Sequence, residues 1–165
     1  MRIGIIADTH DNMEKIECAM NWLADRGVEH IIHAGDYVAP FSLKLIFKML
    51  GAAQFTGVFG NNDGEKKGLE SVARGTLHKA PYSFSVGDIR FYLTHDLVRT
   101  DIPKLCSTHD VIIHGHTHKA EITRQGTTLI INPGACCGIL AEYPSIAMLY
   151  VPEMKAEIIR LDELR

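Results

Sequence analysis

Gly115-His116-Thr117-His118 sets two imidazoles two positions apart, directly after the apolar run Val111-Ile112-Ile113. Imidazoles at the end of a β-branched run are donors for a metal or a proton, and Gly115 lets the backbone turn tightly there. Taken alone, the tetrapeptide is also what a strand end with solvated imidazoles looks like in a chain with 9 His. Four other stretches repeat the design. Asp8-Thr9-His10 follows Ile3-Gly4-Ile5-Ile6-Ala7, and Gly35-Asp36 follows Ile31-Ile32. Gly60-Asn61 follows Phe55-Thr56-Gly57-Val58-Phe59, and His95 follows Phe91-Tyr92-Leu93.

Ligands of open α/β sheets collect in the crevice beyond the carboxyl ends of the strands. Five strands that each deliver Asp, His or Asn to that edge converge on one site: Asp8, His10, Asp36, Asn61, His95, His116 and His118. Two carboxylates, one amide and four imidazoles exceed what one metal with an open position takes, and suit two metals sharing a carboxylate. Donors of these types accept manganese, iron, nickel, cobalt or zinc.

The elements that must position these residues are legible in the hydrophobic pattern. Arg2 to Ala7 reads as a strand buried on both faces. From Asn12 to Arg26, Met13, Ile16, Met20, Leu23 and Ala24 recur at helical spacing, with Asn12 as N-cap and Gly27 past the end. Val28 to Ala34 is a second strand, and a strand–helix–strand unit of this kind predicts parallel pairing. Pro40 to Leu50 reads as a helix, Ala53 to Phe59 as a third strand, and Gly64 to Gly75 as partly helical. Three hairpins follow: Tyr82 to Val86 with Ile89 to Thr94, Ala120 to Arg124 with Thr127 to Ile131, and Ser145 to Val151 with Lys155 to Leu161. Val111 to His114, after a short helical link, stands between the first two. The expected fold is α/β: two mixed β-sheets packed face to face as a sandwich flanked by helices, with the metal site at the C-terminal ends of the strands.

Length and composition set the outer bounds. At 165 residues the chain suits one domain, 1–165, and it shows no repeat, linker or low-complexity stretch. A net charge of -3 argues against a membrane-surface or non-specific nucleic-acid binder. No run approaches a membrane span, and an N-terminus that enters a strand at once leaves no room for a signal peptide, so the expected compartment is the cytoplasm. Cys18, Cys106, Cys136 and Cys137 have no C-x-x-C spacing and are expected as reduced thiols. A homo-oligomer is left open.

The order D-x-H, G-D, G-N, a lone His and G-H-x-H, at strand ends across almost the whole chain, resembles the calcineurin-like metallophosphoesterases. The compact length and Asn132-Pro133-Gly134 after the second hairpin resemble their small prokaryotic phosphodiesterase branch. The resemblance implies that Asp8, His10 and His118 hold one divalent transition-metal ion, Asn61, His95 and His116 hold a second, and Asp36 bridges, with manganese first among the metals. Asp36, Asn61 and His95 form the implied catalytic set. A metal-bridging hydroxide would attack a small phosphodiester or nucleotide in line. Phosphomonoesterase or pyrophosphatase activity on the same site is the alternative. The likeness also extends to a retromer subunit that serves as a protein-binding scaffold. A scaffold predicts eroded ligands, whereas all seven positions here hold competent residues.

The sequence departs from the family at two places. Where many members follow Gly-Asn with a His credited with helping the leaving group, this chain has Asn62, and an amide gives up no proton. Where many read His-Gly-His, it has His95-Asp96-Leu97. Asp63 has two readings, orienting Asn62 or a ligand, or completing an Asn-Asn-Asp-Gly turn, and the turn is the stronger. Asn132-Pro133-Gly134 likewise reads as a plain turn. His33 reads as a core or supporting imidazole, and His30, His78 and His109 as surface or turn residues. Lys66, Lys67, Arg74 and Arg99 are candidate phosphate contacts that read more simply as solvated charges.

Overall fold

A computed structural model of the protein describes residues 1–98 and 100–164, so Arg99 lies outside the described residues. The expected elements form, with boundaries shifted by a residue or two. Strand β1 (Arg2–Ile6) leads into helix α1 (Met13–Asp25), whose N-cap Asn12 accepts the N–H of Lys15 at 3.2 Å. Strand β2 (His30–His33), helix α2 (Pro40–Met49), strand β3 (Gln54–Val58) and helix α3 (Lys66–Ala73) follow. A two-residue strand β4 (Leu77–His78), which the sequence pattern did not reveal, pairs parallel to β3. The hairpin β5 (Tyr82–Val86) and β6 (Ile89–Leu93) precedes the short helix α4 (Ile102–Cys106) and strand β7 (Val111–Ile113). The chain closes with hairpins β8 (Glu121–Gln125) with β9 (Thr128–Asn132), and β10 (Ser145–Tyr150) with β11 (Lys155–Arg160).

Two mixed sheets result, one ordered β11-β10-β1-β2-β3-β4 and the other β5-β6-β7-β9-β8. Within the first, β1, β2 and β3 run parallel; within the second, β6, β7 and β9 do. Period-two alternation splits β1 between two cores. Ile3, Ile5 and Ala7 join Ile32, Leu93, Val111 and Ile113 between the sheets. Ile6 faces the other way, onto the cluster that holds Ile16, Met20 and Leu23 of α1 and Leu43 of α2. Gly4 shares that face, and a Cβ there would come within 2.7 Å of the Leu23 side chain, so the strand needs a glycine to let α1 seat.

This alternation corrects the reading of His30. It is buried between the sheets, with Nε2 2.9 Å from Thr56 Oγ1 and its ring 6.3 Å from that of Phe84. A polar residue opening an apolar strand looks like a strand edge in sequence, but β2 is flanked by β1 and β3, so its first residue is interior. His78 and His109 are partly buried rather than free: His78 stacks on Tyr82 at 3.7 Å, and His109 Nε2 lies 2.9 Å from Ser83 Oγ.

Candidate metal centre

All seven candidate residues leave the C-terminal ends of parallel strands, Asp8 and His10 after β1, Asp36 after β2, Asn61 after β3, His95 after β6, and His116 and His118 after β7. They meet at one edge of the sandwich, where the two sheets are tied together. The N–H of His116 donates to Asp8 Oδ2 at 3.1 Å, crossing from the second sheet to the first. His95 Nδ1 lies 2.8 Å from the carbonyl oxygen of Ala34, crossing the same gap. Asp8, Asp36 and His95 form a buried floor, whereas Asn61 and His116 stand exposed at the rim.

The imidazoles are oriented by what their far nitrogens do. A carbonyl only accepts, so His95 Nδ1 carries the proton and Nε2 turns a lone pair into the cluster. His118 repeats this, with Nδ1 donating to the Ile139 carbonyl at 2.7 Å and Nε2 lying 3.2 Å from Asp8 Oδ1. His10 Nε2 sits 3.8 Å from Asp8 Oδ1 and 3.5 Å from Asp36 Oδ2. On the other side, Asn61 Oδ1 lies 2.9 Å from both His95 Nε2 and His116 Nδ1. Asp36 stands between the halves, its Oδ2 3.4 Å from His95 Nε2. Asp96, in place of the family's glycine, brings a carboxylate oxygen to 3.9 Å from His116 Nε2, on the side of the ring away from Asn61.

Three features suit a cation here. Asp8 Oδ1 and His10 Nε2 are buried without a hydrogen-bond partner. One ligand atom each from Asp8, His10 and His118, and likewise from Asp8, Asp36 and His95, lies within 4.8 Å of the others. The donor set of carboxylate, imidazole and amide oxygen is one that divalent transition metals accept. The neighbouring Asp8 carboxylate raises the pKa of His10 against the cost of burial, and Asp36 adds to the rise. Burial opposes protonation of His95, but the adjacent Asp36 carboxylate overrides it and its pKa also rises. For Asp36, burial opposes ionisation, yet the adjacent His95 ring and two hydrogen bonds from Asn62 hold the carboxyl well below its usual range.

The backbone at the site is unusual. Five of the seven residues have left-handed φ: Asp8 at 52°, His10 at 39°, Asp36 at 62°, His116 at 68° and His118 at 58°. Strained non-glycine backbone persists only where surrounding bonds over-determine it. Those bonds are present: Asp8 N–H to the Gly35 carbonyl at 3.0 Å, His10 N–H to Asp36 at 3.1 Å, and Cys137 N–H to Asp8 at 3.1 Å. Gly115 has a different reason from the one its sequence suggested. Its φ is not left-handed, but a Cβ there would approach Asp8 Oδ2 to 2.7 Å.

Sequence reasoning undervalued two supports, Asp63 and Asn132, and left His33 between a core and a supporting role. Asp63 is not a solvated turn residue: its buried carboxylate accepts N–H groups from Gly60, Asp36 and Val38 at 2.7, 3.1 and 2.8 Å. Asn132 is buried at the end of β9, and its Nδ2 donates to the Gly115 carbonyl at 3.0 Å and lies 2.9 Å from Thr117 Oγ1, so the Asn-Pro-Gly turn locks the His116–His118 loop. His33 is buried against Tyr37, at 3.9 Å between rings, and its Nδ1 accepts the Gly35 N–H at 3.1 Å. That acceptor role requires a neutral ring, and burial drives its pKa down to about 3. Lys66, Lys67 and Arg74 are exposed on or beside α3, as solvated charges would be.

Two mixed sheets that present Asp, His and Asn donors at one edge define the metallophosphoesterase class. The chain belongs to the calcineurin-like phosphoesterase superfamily, whose domain model matches residues 1–154. It is 36% identical over 155 residues to the phosphodiesterase MJ0936 of Methanocaldococcus jannaschii, covering 90% of this chain and 92% of that one. Among solved structures, a novel archaeal phosphodiesterase shares 33% identity and a TM-score of 0.87, covering 97% of this chain and 99% of the other. Vps29 from Entamoeba histolytica, a retromer subunit whose structure was solved with zinc, shares the fold at 18% identity and a TM-score of 0.71, covering 98% and 99% of the two chains.

Among the described residues no helix is long and apolar enough to cross a membrane. The four cysteines form no disulfide. Burial raises the pKa of both Cys136 and Cys137, so neither is a ready thiolate. A groove of about 270 Å³ opens beside His118, lined by Thr117, Lys119, Leu140 and Tyr143. Leu140 is 90% exposed at its edge.

Proposed function

We propose that this chain is a phosphodiesterase that hydrolyses small phosphodiesters or nucleotides with two divalent transition-metal ions, manganese first among them. Asp8, His10 and His118 would hold one ion, and Asn61, His95 and His116 the other, with Asp36 shared. The observation that carries this reading is the buried, unpartnered Asp8 Oδ1 with the Nε2 atoms of His10 and His118 turned toward it. A buried carboxylate oxygen without a donor is costly, and a cation removes the cost. When bound, two such ions supply positive charge for an anionic phosphate and lower the pKa of a water between them.

The chain's own groups do the rest. His95 and His118 are fixed as Nδ1–H tautomers, so their Nε2 atoms need no reorganisation to act as donors. Asp8 and Asp36, sealed in the floor, keep competing water from one side of the site. His95 Nε2 lies 3.4 Å from Asp36 Oδ2 and 2.9 Å from Asn61 Oδ1, and we take these three residues as the catalytic set. The groove beside His118 has room for one substituent but is smaller than the roughly 300–1,000 Å³ usual for a whole drug-sized ligand. A diester, whose phosphate carries a second substituent, uses that room, and a monoester does not. Four unpaired thiols suit a reducing compartment, the cytoplasm.

The test is metal analysis of purified protein together with a panel of phosphate esters. Hydrolysis of a bis-aryl phosphodiester is expected to vanish on chelation and return with manganese or another transition ion. Full activity after verified metal removal would overturn the proposal.

A further inference from the structure

Asn62 occupies the position where many calcineurin-like members carry a histidine, and its side chain is already committed. Its Nδ2 donates to Asp36 Oδ2 at 2.7 Å, while its own backbone N–H donates to Asp36 Oδ1 at 2.8 Å. One residue thus grips both oxygens of the carboxylate that stands between the two halves of the site. We infer that Asn62 is a positioning residue that fixes the shared carboxylate for two cations. This rests on the dinuclear reading of the site.

Lone-pair counting shows why such a grip is compatible with metal binding. An ionised carboxylate offers about four acceptor positions, two on each oxygen. Asn62 fills one on each oxygen, which leaves one per oxygen for other partners. The side-chain bond falls on Oδ2, the oxygen that lies 3.5 Å from His10 Nε2 and 3.4 Å from His95 Nε2. It therefore restrains the atom that faces both clusters. The opposite side is closed by Gly60, where any Cβ would collide with Asp36 Oδ1. The turn that presents Asn62 is itself held by the buried carboxylate of Asp63, so the amide is aimed from a fixed platform. Partners of a ligating carboxylate typically change metal affinity by about 10–100-fold when removed.

The experiment titrates Mn2+ into metal-free wild type, Asn62→Ala and Asn62→Asp by calorimetry, with melting temperature measured in chelator. Asn62→Ala deletes the side-chain donor. Asn62→Asp keeps its shape and places a second carboxylate against Asp36. The expected result is two uptake steps in wild type, one of them weakened about 10–100-fold in Asn62→Ala and further in Asn62→Asp. The metal-free melting temperature should fall by only about 2–4 °C in Asn62→Ala, since Asn62 is exposed and only one hydrogen bond is lost. Two wild-type steps with unchanged affinities in both variants would overturn the inference and leave the dinuclear reading standing. Fewer than two wild-type steps would overturn that reading, and the inference with it.

Discussion

The carboxylate of Asp63 accepts the backbone N–H of Gly60 at 2.7 Å, and with its remaining capacity it holds Asp36 and Val38 from the neighbouring loop. One buried side chain thereby fixes the spacing between the loops after β2 and β3, and hence between Asp36 and Asn61. Burial raises its pKa, and the three N–H donors oppose that rise. Asp63→Ala would leave three backbone donors short of a partner in a largely closed space. The expected loss is about 2–4 kcal/mol, seen as a fall in melting temperature of roughly 5–15 °C in chelator. Metal uptake should weaken with it. A loss below about 1 kcal/mol would mean that water or other groups hold the two loops.

Asp36→Asn is expected to leave the fold intact and abolish uptake of two ions. The amide would present a donor where Asn62 Nδ2 now donates to Asp36 Oδ2 at 2.7 Å, so the grip described above would break as well. Metal content per chain after dialysis, with circular dichroism for the fold, decides this. Two tightly held ions and near-normal turnover would remove Asp36 from its role.

The two halves of the site were unequally legible in the sequence. The seven donors stood out because each follows an apolar strand-like run, and the C-terminal ends of parallel strands share one edge whatever the loops do. The supports did not stand out, because their role lies in contacts between distant segments. Asp63 sits in Asn-Asn-Asp-Gly and Asn132 in Asn-Pro-Gly, both of which spell a turn locally, and only the packing of β2 against β3 and of β9 against β7 turns their side chains inward. The fold followed the same division. The strands of the first sheet and the hairpins were readable from period, whereas β4 was too short to show one and exists because it pairs with Gly57 and Val58 of β3.

His30 offers a stability test away from the site. Burial lowers its pKa below the usual 6.5, so the unfolded chain takes up a proton that the folded chain resists. Stability from this residue is therefore full above about pH 6.5 and is lost as pH falls below it. His33 and His114 share that sign, so part of the acid loss belongs to them. His30→Leu paired with Thr56→Val, which avoids an orphaned hydroxyl, is expected to show a smaller fall in melting temperature between about pH 7 and 5 than wild type, measured in chelator. An equal fall would assign the acid loss to other groups.

The side chain at position 62 decides how a leaving group departs. With Nδ2 held on Asp36 at 2.7 Å and no ionisable proton, Asn62 gives no general-acid help. Rate should therefore depend steeply on leaving-group basicity, with aryl esters turning over readily and alkyl esters poorly. General acid catalysis is typically worth 10²–10⁴-fold, about 3–5 kcal/mol of barrier. Asn62→His is expected to recover part of that for alkyl substrates and to change aryl diesters less, while weakening metal uptake because the donor to Asp36 is gone. The measurement is kcat/KM across a leaving-group series for both proteins, at metal concentrations that saturate each. A shallow dependence in wild type would show that a group other than residue 62 supplies the proton. His33 is an unfavourable source, since its Nδ1 is occupied by the Gly35 N–H and its ring is buried against Tyr37. Asp96 and the rim histidine His116, 3.9 Å apart, would then be the pair to substitute next.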